Sequence, residues 1–231
     1  MSQDVTSKEE ALENLKKLIT EMAISVREMI ALAVGGLREK DPASLARVQE
    51  LEKEVNAREV VIDDAAVKFI ALFQPSASDL RAAMMIMRMN SNLERMGDHA
   101  YNIARDAEFL IARPQIKPLI DIPRMADLVM GMMGDIMLAL REENPEMARA
   151  VCRRDDEVDD LRDQVIRELL LFMMSDPSTI ERAMKLIEVV QNLERIGDLT
   201  TNLAEDIVYM TTGKIIKHHI EEEERQEGKM P

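Results

Sequence analysis

An all-α fold, two tandem and internally duplicated three-helix bundles, follows from three features of the sequence. The segment Asn92-Leu93-Glu94-Arg95-Met96-Gly97-Asp98 recurs 100 residues later as Asn192-Leu193-Glu194-Arg195-Ile196-Gly197-Asp198, with one conservative change. Agreement at this level within one chain marks a duplication. Apolar residues recur at alternating three- and four-residue steps over long stretches, which is the period of an amphipathic helix. The composition offers little for turns or aromatic strands: 8 Gly, 8 Pro, 3% aromatic residues and no Trp, against 19 Met. Such a core of Leu, Ile, Val, Ala and Met suits packed helices.

Ser7 and Glu10 form a capping-box pattern, after which Leu12, Leu15, Ile19, Met22, Val26, Met29, Ala33 and Leu37 trace the seam of a first helix ending near Lys40. Asp41-Pro42 restarts the chain as N-cap and first helical residue. A second helix then turns Val48, Leu51, Val55, Ile62 and Phe69 inward and stops before Pro75. Ser78 is the expected cap of the third helix, whose seam runs Ile86, Met89, Leu93, Met96, Ala100, Ile103, Ala107 and Leu110 as far as Arg113-Pro114. Pro114, Pro118 and Pro123 mark residues 114–123 as a linker.

The plan then repeats. A fourth helix is expected from about 124 to 143, and Asn144-Pro145 restarts the chain as Asp41-Pro42 did. A fifth helix runs on to Ser175-Asp176-Pro177, Ser178 with Glu181 forms another capping box, and Gly213 closes the sixth helix. The sixth seam is Leu186, Val189, Leu193, Ile196, Thr200, Leu203, Ile207 and Met210. Leu37-Arg38-Glu39 and Glu54-Val55-Asn56 find counterparts in Leu140-Arg141-Glu142 and Glu157-Val158-Asp159 at an offset of 103. The domain reading is therefore a first repeat at 7–113, the linker 114–123, a second repeat at 124–213, and a charged extension at 214–231 that holds His218-His219 and Glu221–Glu224.

A formal charge of −14 opposes nucleic-acid binding, which needs clustered Lys and Arg, and suits capture of cations. The one cysteine, Cys152, forms no internal disulfide and fits a reducing compartment; it reads as a small helical residue. Polar Ser2-Gln3-Asp4 follows Met1, and no apolar run approaches the ~18 residues of a membrane span, so a cytoplasmic protein is expected. There is no phosphate-cradling Gly-rich loop and no Ser/His/Asp or Cys/His grouping, and with three histidines general bases are few. Enzymatic activity is not expected.

Glu94 and Asp98 are one helical turn apart on a single face, as are Glu194 and Asp198. The seam residues Leu93 and Met96 turn both acids away from the core. A lone Glu-x-x-x-Asp is ordinarily a solvated face, but the preceding helix of each half adds a second pair at the same spacing, Glu52 with Asn56 and Asp155 with Asp159. Four oxygen-bearing side chains from two adjacent helices form a candidate metal site in each half, because clustered like charges call for a cation. All-oxygen ligands favour Mg²⁺, Mn²⁺, Ca²⁺ or iron over zinc. Gly97 and Gly197 serve either close approach to such a site or close helix packing. Asn102 and Asn202, one turn further on, read as capping or surface polarity. Arg95 and Arg195 read as partners of neighbouring acids. His99 has Leu199 as its counterpart, so the halves share no histidine role.

The doubled Asn-Leu-Glu-Arg-Met/Ile-Gly-Asp, the stretch Gln74-Pro75-Ser76-Ala77-Ser78-Asp79-Leu80-Arg81 and Glu54-Val55-Asn56 resemble the PhoU family of phosphate-uptake regulators, from about Leu12 to Met210. The resemblance implies the family's paired three-helix bundles, which are spectrin-repeat-like, and a homodimer. It also implies metal ions, Mg, Mn, Fe or Zn, at the Glu/Asp-x-x-x-Asp pairs. Its functional implication is repression of the phosphate-starvation (Pho) response between a Pst phosphate ABC transporter and a PhoR sensor kinase, at the membrane only through these partners. The alternative is a metal-buffering or transporter-accessory protein acting without a kinase. Matched by position, the first site uses Glu52, Asn56, Glu94 and Asp98, and the second uses Asp155, Asp159, Glu194 and Asp198. With Asn56 in place of an acid, the first is expected to hold metal more weakly. The corner Ser78-Asp79-Leu80-Arg81, which differs most in charge from its counterpart, is the expected partner contact.

Overall fold

Most helix boundaries are set by capping chemistry. The computed structural model describes residues 7–215, so the charged extension with His218-His219 lies almost wholly outside the described residues. Helix α1 (Lys8–Glu39) opens on both halves of the expected capping box: Ser7 N donates to Glu10 Oε2 at 2.9 Å and Glu10 N to Ser7 Oγ at 3.1 Å. In α2 (Pro42–Phe73) the Asp41 carboxylate accepts from the amides of Ala43 and Ser44. Helix α3 (Ala77–Ile111) begins one residue after Ser76, which is extended and offers no side-chain cap. The expected cap, Ser78, is instead inside the first turn, with its hydroxyl turned to Asp79.

The second half departs from expectation at three places. Helix α4 (Asp121–Glu142) takes in Pro123, which sits in a first turn where its missing N–H costs nothing. Before α7 (Ile180–Thr212) comes a 3-10 turn, Pro177–Thr179, capped by the Asp176 carboxylate; the Ser178–Glu181 box does not form. The expected fifth helix is two helices, α5 (Pro145–Cys152) and α6 (Asp155–Ser175), separated at Arg153-Arg154. Arg154 occupies the register of Leu51, which is 2% exposed in the core of the first half. A guanidinium at that inward position has to be paired, and it reaches out to Asp135 on α4 at 2.6 Å, over Gly131. Gly213, at φ 71°, closes α7 in the left-handed conformation that glycine adopts freely.

Among the described residues there is no strand. Helices α1, α2 and α3 pack together, α4 to α7 form the second bundle, and the halves meet along α3 against α7 and α1 against α4. The predicted seams are the core: Leu15, Ile19, Met22, Ile86, Met89, Leu93 and Met96 are buried in the first half, and Leu186, Val189, Leu193 and Ile196 in the second. Lys185 near the start of α7 meets Asp106 near the end of α3, and Arg88 early in α3 meets Asp206 late in α7. The two motif-bearing helices are therefore antiparallel. No helix among the described residues is long and apolar enough to cross a membrane.

Candidate functional site

Each half places its four candidate residues in the crevice between its middle and last helices. In the first half Asn56 Nδ2 donates to Glu52 Oε1 at 2.6 Å, and the Asn56 side-chain oxygen is buried with no hydrogen-bond partner. The Glu94 carboxyl is pushed up by burial, then by the negative charges of Asp98, Glu59 and Glu52, against a smaller opposing pull from Arg95. Glu52, Asn56 and Glu94 are half-buried and Asp98 is exposed, so three of the four sit in the seam rather than on a fully solvated face.

Glu59 belongs to this cluster, though the four-position reading left it out. Its own carboxyl is raised by burial and by Asp63 and Asp98. Asn90, fully buried, holds the next turn in place by donating to Glu59 O and Asp63 Oδ1, each at 2.9 Å. The signal for Glu59 was its position, one turn beyond Asn56 on the same face as Glu52 and Asn56.

In the second half Asp155 is pushed up to about 6 by burial and then by Asp198, Asp159, Asp156 and Glu194. Asp198 is raised by burial, Glu194 and Asp159. Here the position of Glu59 is taken by Arg162, whose Nη1 donates to Asp159 Oδ1 at 2.8 Å and to Glu194 Oε1 at 2.6 Å. A guanidinium thus bridges both helices where the first half has another carboxylate. Asn90 and Asp63 correspond to Val190 and Ile166, so the polar extension of the first crevice is apolar in the second.

The glycines pack helices. A Cβ on Gly97 would stand 3.3 Å from Val55 Cγ1, and one on Gly197 3.4 Å from Val158 Cγ1 and from Asp155 Oδ1. Close packing is common to both, and only Gly197 also adjoins a candidate ligand. His99 joins the halves: its Nδ1 lies 2.8 Å from Asn192 Oδ1. Arg195 approaches Glu194 only at 3.9 Å. The proposed contact corner is used internally, since Asp79 is ion-paired to Lys8 at 2.6 Å and the half-buried Arg81 guanidinium lies against Gly213. Exposed apolar side chains on α2 and α3 accompany the exposed Gln74, Ser76 and Ser78: Val67, Leu72, Leu80 and Met84, matched in the second half by Leu170, Leu171, Met174, Ile180 and Met184.

The sequence profile described as "PhoU domain" matches residues 3–107 and 122–207. The chain belongs to the PhoU family. A PhoU homologue of Aquifex aeolicus named as a phosphate-specific transport system accessory protein is 38% identical, over 91% of this chain and 96% of its own. A homologue of the same name from Deinococcus radiodurans is 35% identical, over 82% and 89%. The crystal structure of PhoU from Pseudomonas aeruginosa superposes with a TM-score of 0.85 at 31% identity, covering 88% of this chain and 98% of that one. The phosphate transport system regulatory protein PhoU from Streptococcus pneumoniae shares the fold, with a TM-score of 0.84 at 24% identity over 91% and 100%. This is a phosphate transport accessory or regulatory protein of the PhoU family, with the all-α fold of repeated bundles.

Among the described residues, no three His, Cys, Asp or Glu side chains already converge tightly enough to grip one ion. The donor set nevertheless suits a hard cation. Carboxylates that raise one another in a half-buried crevice are relieved by a positive charge, and the orphaned Asn56 oxygen is a neutral hard donor. The first crevice offers these groups directly, whereas in the second an ion has to displace Arg162.

Proposed function

We propose that this protein is a non-enzymatic repressor of the phosphate-starvation response that works in the cytoplasm, as a homodimer, between a Pst-type phosphate ABC transporter and a PhoR-type sensor kinase. The observation that carries the reading is the pair of exposed apolar tips, Val67, Leu72, Leu80 and Met84 on one bundle and Leu170, Leu171, Met174, Ile180 and Met184 on the other. Apolar side chains gathered at a surface mark contact sites. A helical protein with no membrane-crossing helix among its described residues reaches membrane partners by docking, and its output is a change in their occupancy. The family names support the transporter side of this reading.

The carboxylate crevices are proposed to hold divalent or trivalent metal ions, with Glu52, Asn56, Glu94 and Asp98 as ligands in the first half and Asp155, Asp159, Glu194 and Asp198 in the second. Bound metal supplies charge neutralisation that ties the middle helix of each bundle to the last. These crevices also favour a second reading, a metal buffer or transporter accessory that acts without a kinase. A phosphate-regulon reporter in a deletion strain separates the two. Repression restored by the wild-type gene, and lost with Leu171→Ser/Met174→Ser while the folded protein still binds metal, supports the adaptor. Unchanged reporter output in the deletion strain would rule it out.

A further inference from the structure

Between α3 and α7, at the junction of the two halves, lies a groove of about 280 Å³ that the carboxylate crevices do not use. Both halves line it: His99, Asn102 and Arg105 come from α3, and Gln191, Asn192 and Arg195 from α7. Two acids, Asp106 and Glu188, also reach it. Lys185 Nζ donates to Asp106 Oδ1 at 2.9 Å and to Glu188 Oε2 at 2.5 Å, so its one positive charge offsets one of their two negative charges. The guanidinium groups are not engaged in the same way. Arg195 has its nearest carboxylate at 3.9 Å, and Arg105 has no ion pair among the described residues.

On a chain of formal charge −14, this groove therefore keeps a local excess of positive charge. The duplicated position lacks the surplus because Met85 stands where Lys185 does, while its lining charges balance as they do here, Arg88 and Arg95 against Glu205 and Asp206. Where the groove has His99 and Arg105, the other half has Leu199 and Glu205, and Glu188 is replaced by Arg88, which is paired with Asp206. Guanidinium forks match the oxygens of a tetrahedral anion, and carboxamide N–H groups supply further neutral donors. No Phe, Tyr or Trp lines the groove, and the one ring there, His99, is held against Asn192.

We propose that this groove binds a small tetrahedral oxyanion of the phosphate type, gripped by Arg105 and Arg195 and oriented by Asn102, Gln191 and the His99–Asn192 pair. Because its walls come from both halves, a bound anion bridges α3 to α7. Free inorganic phosphate and the phosphate end of an ester share this chemistry; the lack of a Phe, Tyr or Trp platform favours the free ion. The site is separate from the carboxylate crevices and does not depend on their holding metal.

The test titrates the full-length protein with inorganic phosphate by calorimetry and by amide chemical-shift mapping. EDTA is present throughout, so that no carboxylate-bound metal can recruit the anion. Saturable binding is expected, with shifts centred on His99, Asn102 and Asn192. Affinity should fall at least about tenfold in Arg105→Ala and in Arg195→Ala, the loss of a charge-assisted contact in each. Arg95→Ala, the counterpart of Arg195 in the first half, is expected to bind like wild type. Glycerol 3-phosphate and adenosine monophosphate are titrated in parallel: weaker binding than phosphate supports the free ion, and tighter binding overturns that assignment. No saturable binding in the presence of EDTA, or binding that survives in the Arg105→Ala/Arg195→Ala protein, would overturn the site.

Discussion

One helical turn after Asn56 the first crevice carries Glu59, and one turn after Asp159 the second carries Arg162. The motif itself is copied closely, with matching glycines packed on matching valines, Val55 and Val158. The single exchange inverts the electrostatic balance. The first crevice gathers four acids, Glu52, Glu59, Glu94 and Asp98, with the neutral Asn56. The second gathers four acids and a guanidinium 2.6 Å from Glu194 and 2.8 Å from Asp159. A duplicated motif thus specifies where carboxylates stand but not how much cation they require, because that depends on neighbours outside the motif. The comparison reverses the order expected from Asn56 alone: the first crevice should be the tighter metal site.

The largest effect that can break this comparison is in metal loading. At limiting metal, elemental analysis of the Glu94→Ala/Asp98→Ala protein should show a greater loss than Glu194→Ala/Asp198→Ala. Glu59→Arg, which installs the second half's cation in the first, should weaken the first site by at least about tenfold, as expected for a change of two unit charges a few ångströms away in a partly solvated crevice. Arg162→Glu should strengthen the second site. Equal losses in the two double variants, or an Arg162→Glu protein with unchanged loading, would show that Arg162 swings aside without cost and that the crevices are equivalent.

The next effect contrasts the two buried aspartates at the junction. Asp106 is 3% exposed and faces Lys185 and Glu188, whereas Asp206 is 1% exposed and is paired with Arg88 at 3.0 Å. Burial raises the Asp106 carboxyl, with Lys185 opposing and Glu188 adding to the shift. Replacing Lys185 by Met, the residue at the corresponding position 85, removes the opposing charge. A carboxyl whose folded pKa lies above its unfolded value costs nothing while both states are protonated, and its cost grows as pH rises through the folded value. The Lys185→Met protein should therefore match wild type near pH 2–3, below the ordinary Asp range, and lose about 2 kcal/mol by pH 7, less than a fully buried broken pair because Lys185 is partly exposed. Urea denaturation across this range reads the difference, and a pH-independent loss would assign the effect to packing.

These contrasts also show what was legible in the sequence. The apolar seams, the Ser7, Asp41 and Asn144 caps and the pairing of carboxylates across two helices could all be read, because each depends on local spacing and on an even 3.6-residue period. Glu59 and Arg162 lie one turn beyond the i, i+4 pairs on the same face, a position that the doubled motif does not mark although its register is legible. The α5–α6 break is not visible in the apolar seam itself; its signal is the charged Arg154 at the register of Leu51. The ion pairs of Asp79 with Lys8 and of Asp106 with Lys185 could not be read from local pattern, since their partners are distant in sequence and meet only through tertiary packing.

A smaller effect concerns how each half joins its first two helices. A Cβ on Gly36 would fall 2.6 Å from Leu45 Cδ2, whereas the corresponding pair in the second half is Ala139 and Ala148. The halves fill the same space with different partitions of volume, Gly with Leu in one and Ala with Ala in the other. Gly36→Ala alone should destabilise by about 1–2 kcal/mol through overpacking, after the helix-propensity gain is set against it. Leu45→Ala is costly by itself because Leu45 is fully buried, but in that background Gly36→Ala should cost less, giving a favourable coupling energy in a double-mutant cycle. Strict additivity of the two changes would show that the close approach is relieved elsewhere.

The smallest effect tests the helix ends that precede the two restarts. Lys40 and Glu143 hold equivalent C-cap positions, and both are left-handed, at φ 56° and 49°. A side chain at such an angle is strained relative to glycine, by roughly 1 kcal/mol. The two differ in what the side chain does. Glu143 accepts an ion pair from the mostly buried Lys16 of α1 at 2.7 Å, tying the end of α4 to the first bundle, whereas no ion pair or side-chain hydrogen bond of Lys40 occurs among the described contacts. Lys40→Gly should therefore raise stability by about 0.5–1 kcal/mol, the relief of backbone strain less the extra freedom glycine brings to the unfolded chain. In Glu143→Gly the same relief is opposed by loss of the Lys16 pair, a partly exposed contact of similar size, so the net change should be close to zero. Thermal denaturation of the two variants side by side decides the matter: equal stabilisation would mean that the Lys16–Glu143 pair contributes nothing, and destabilisation of both would mean that the left-handed caps are not strained.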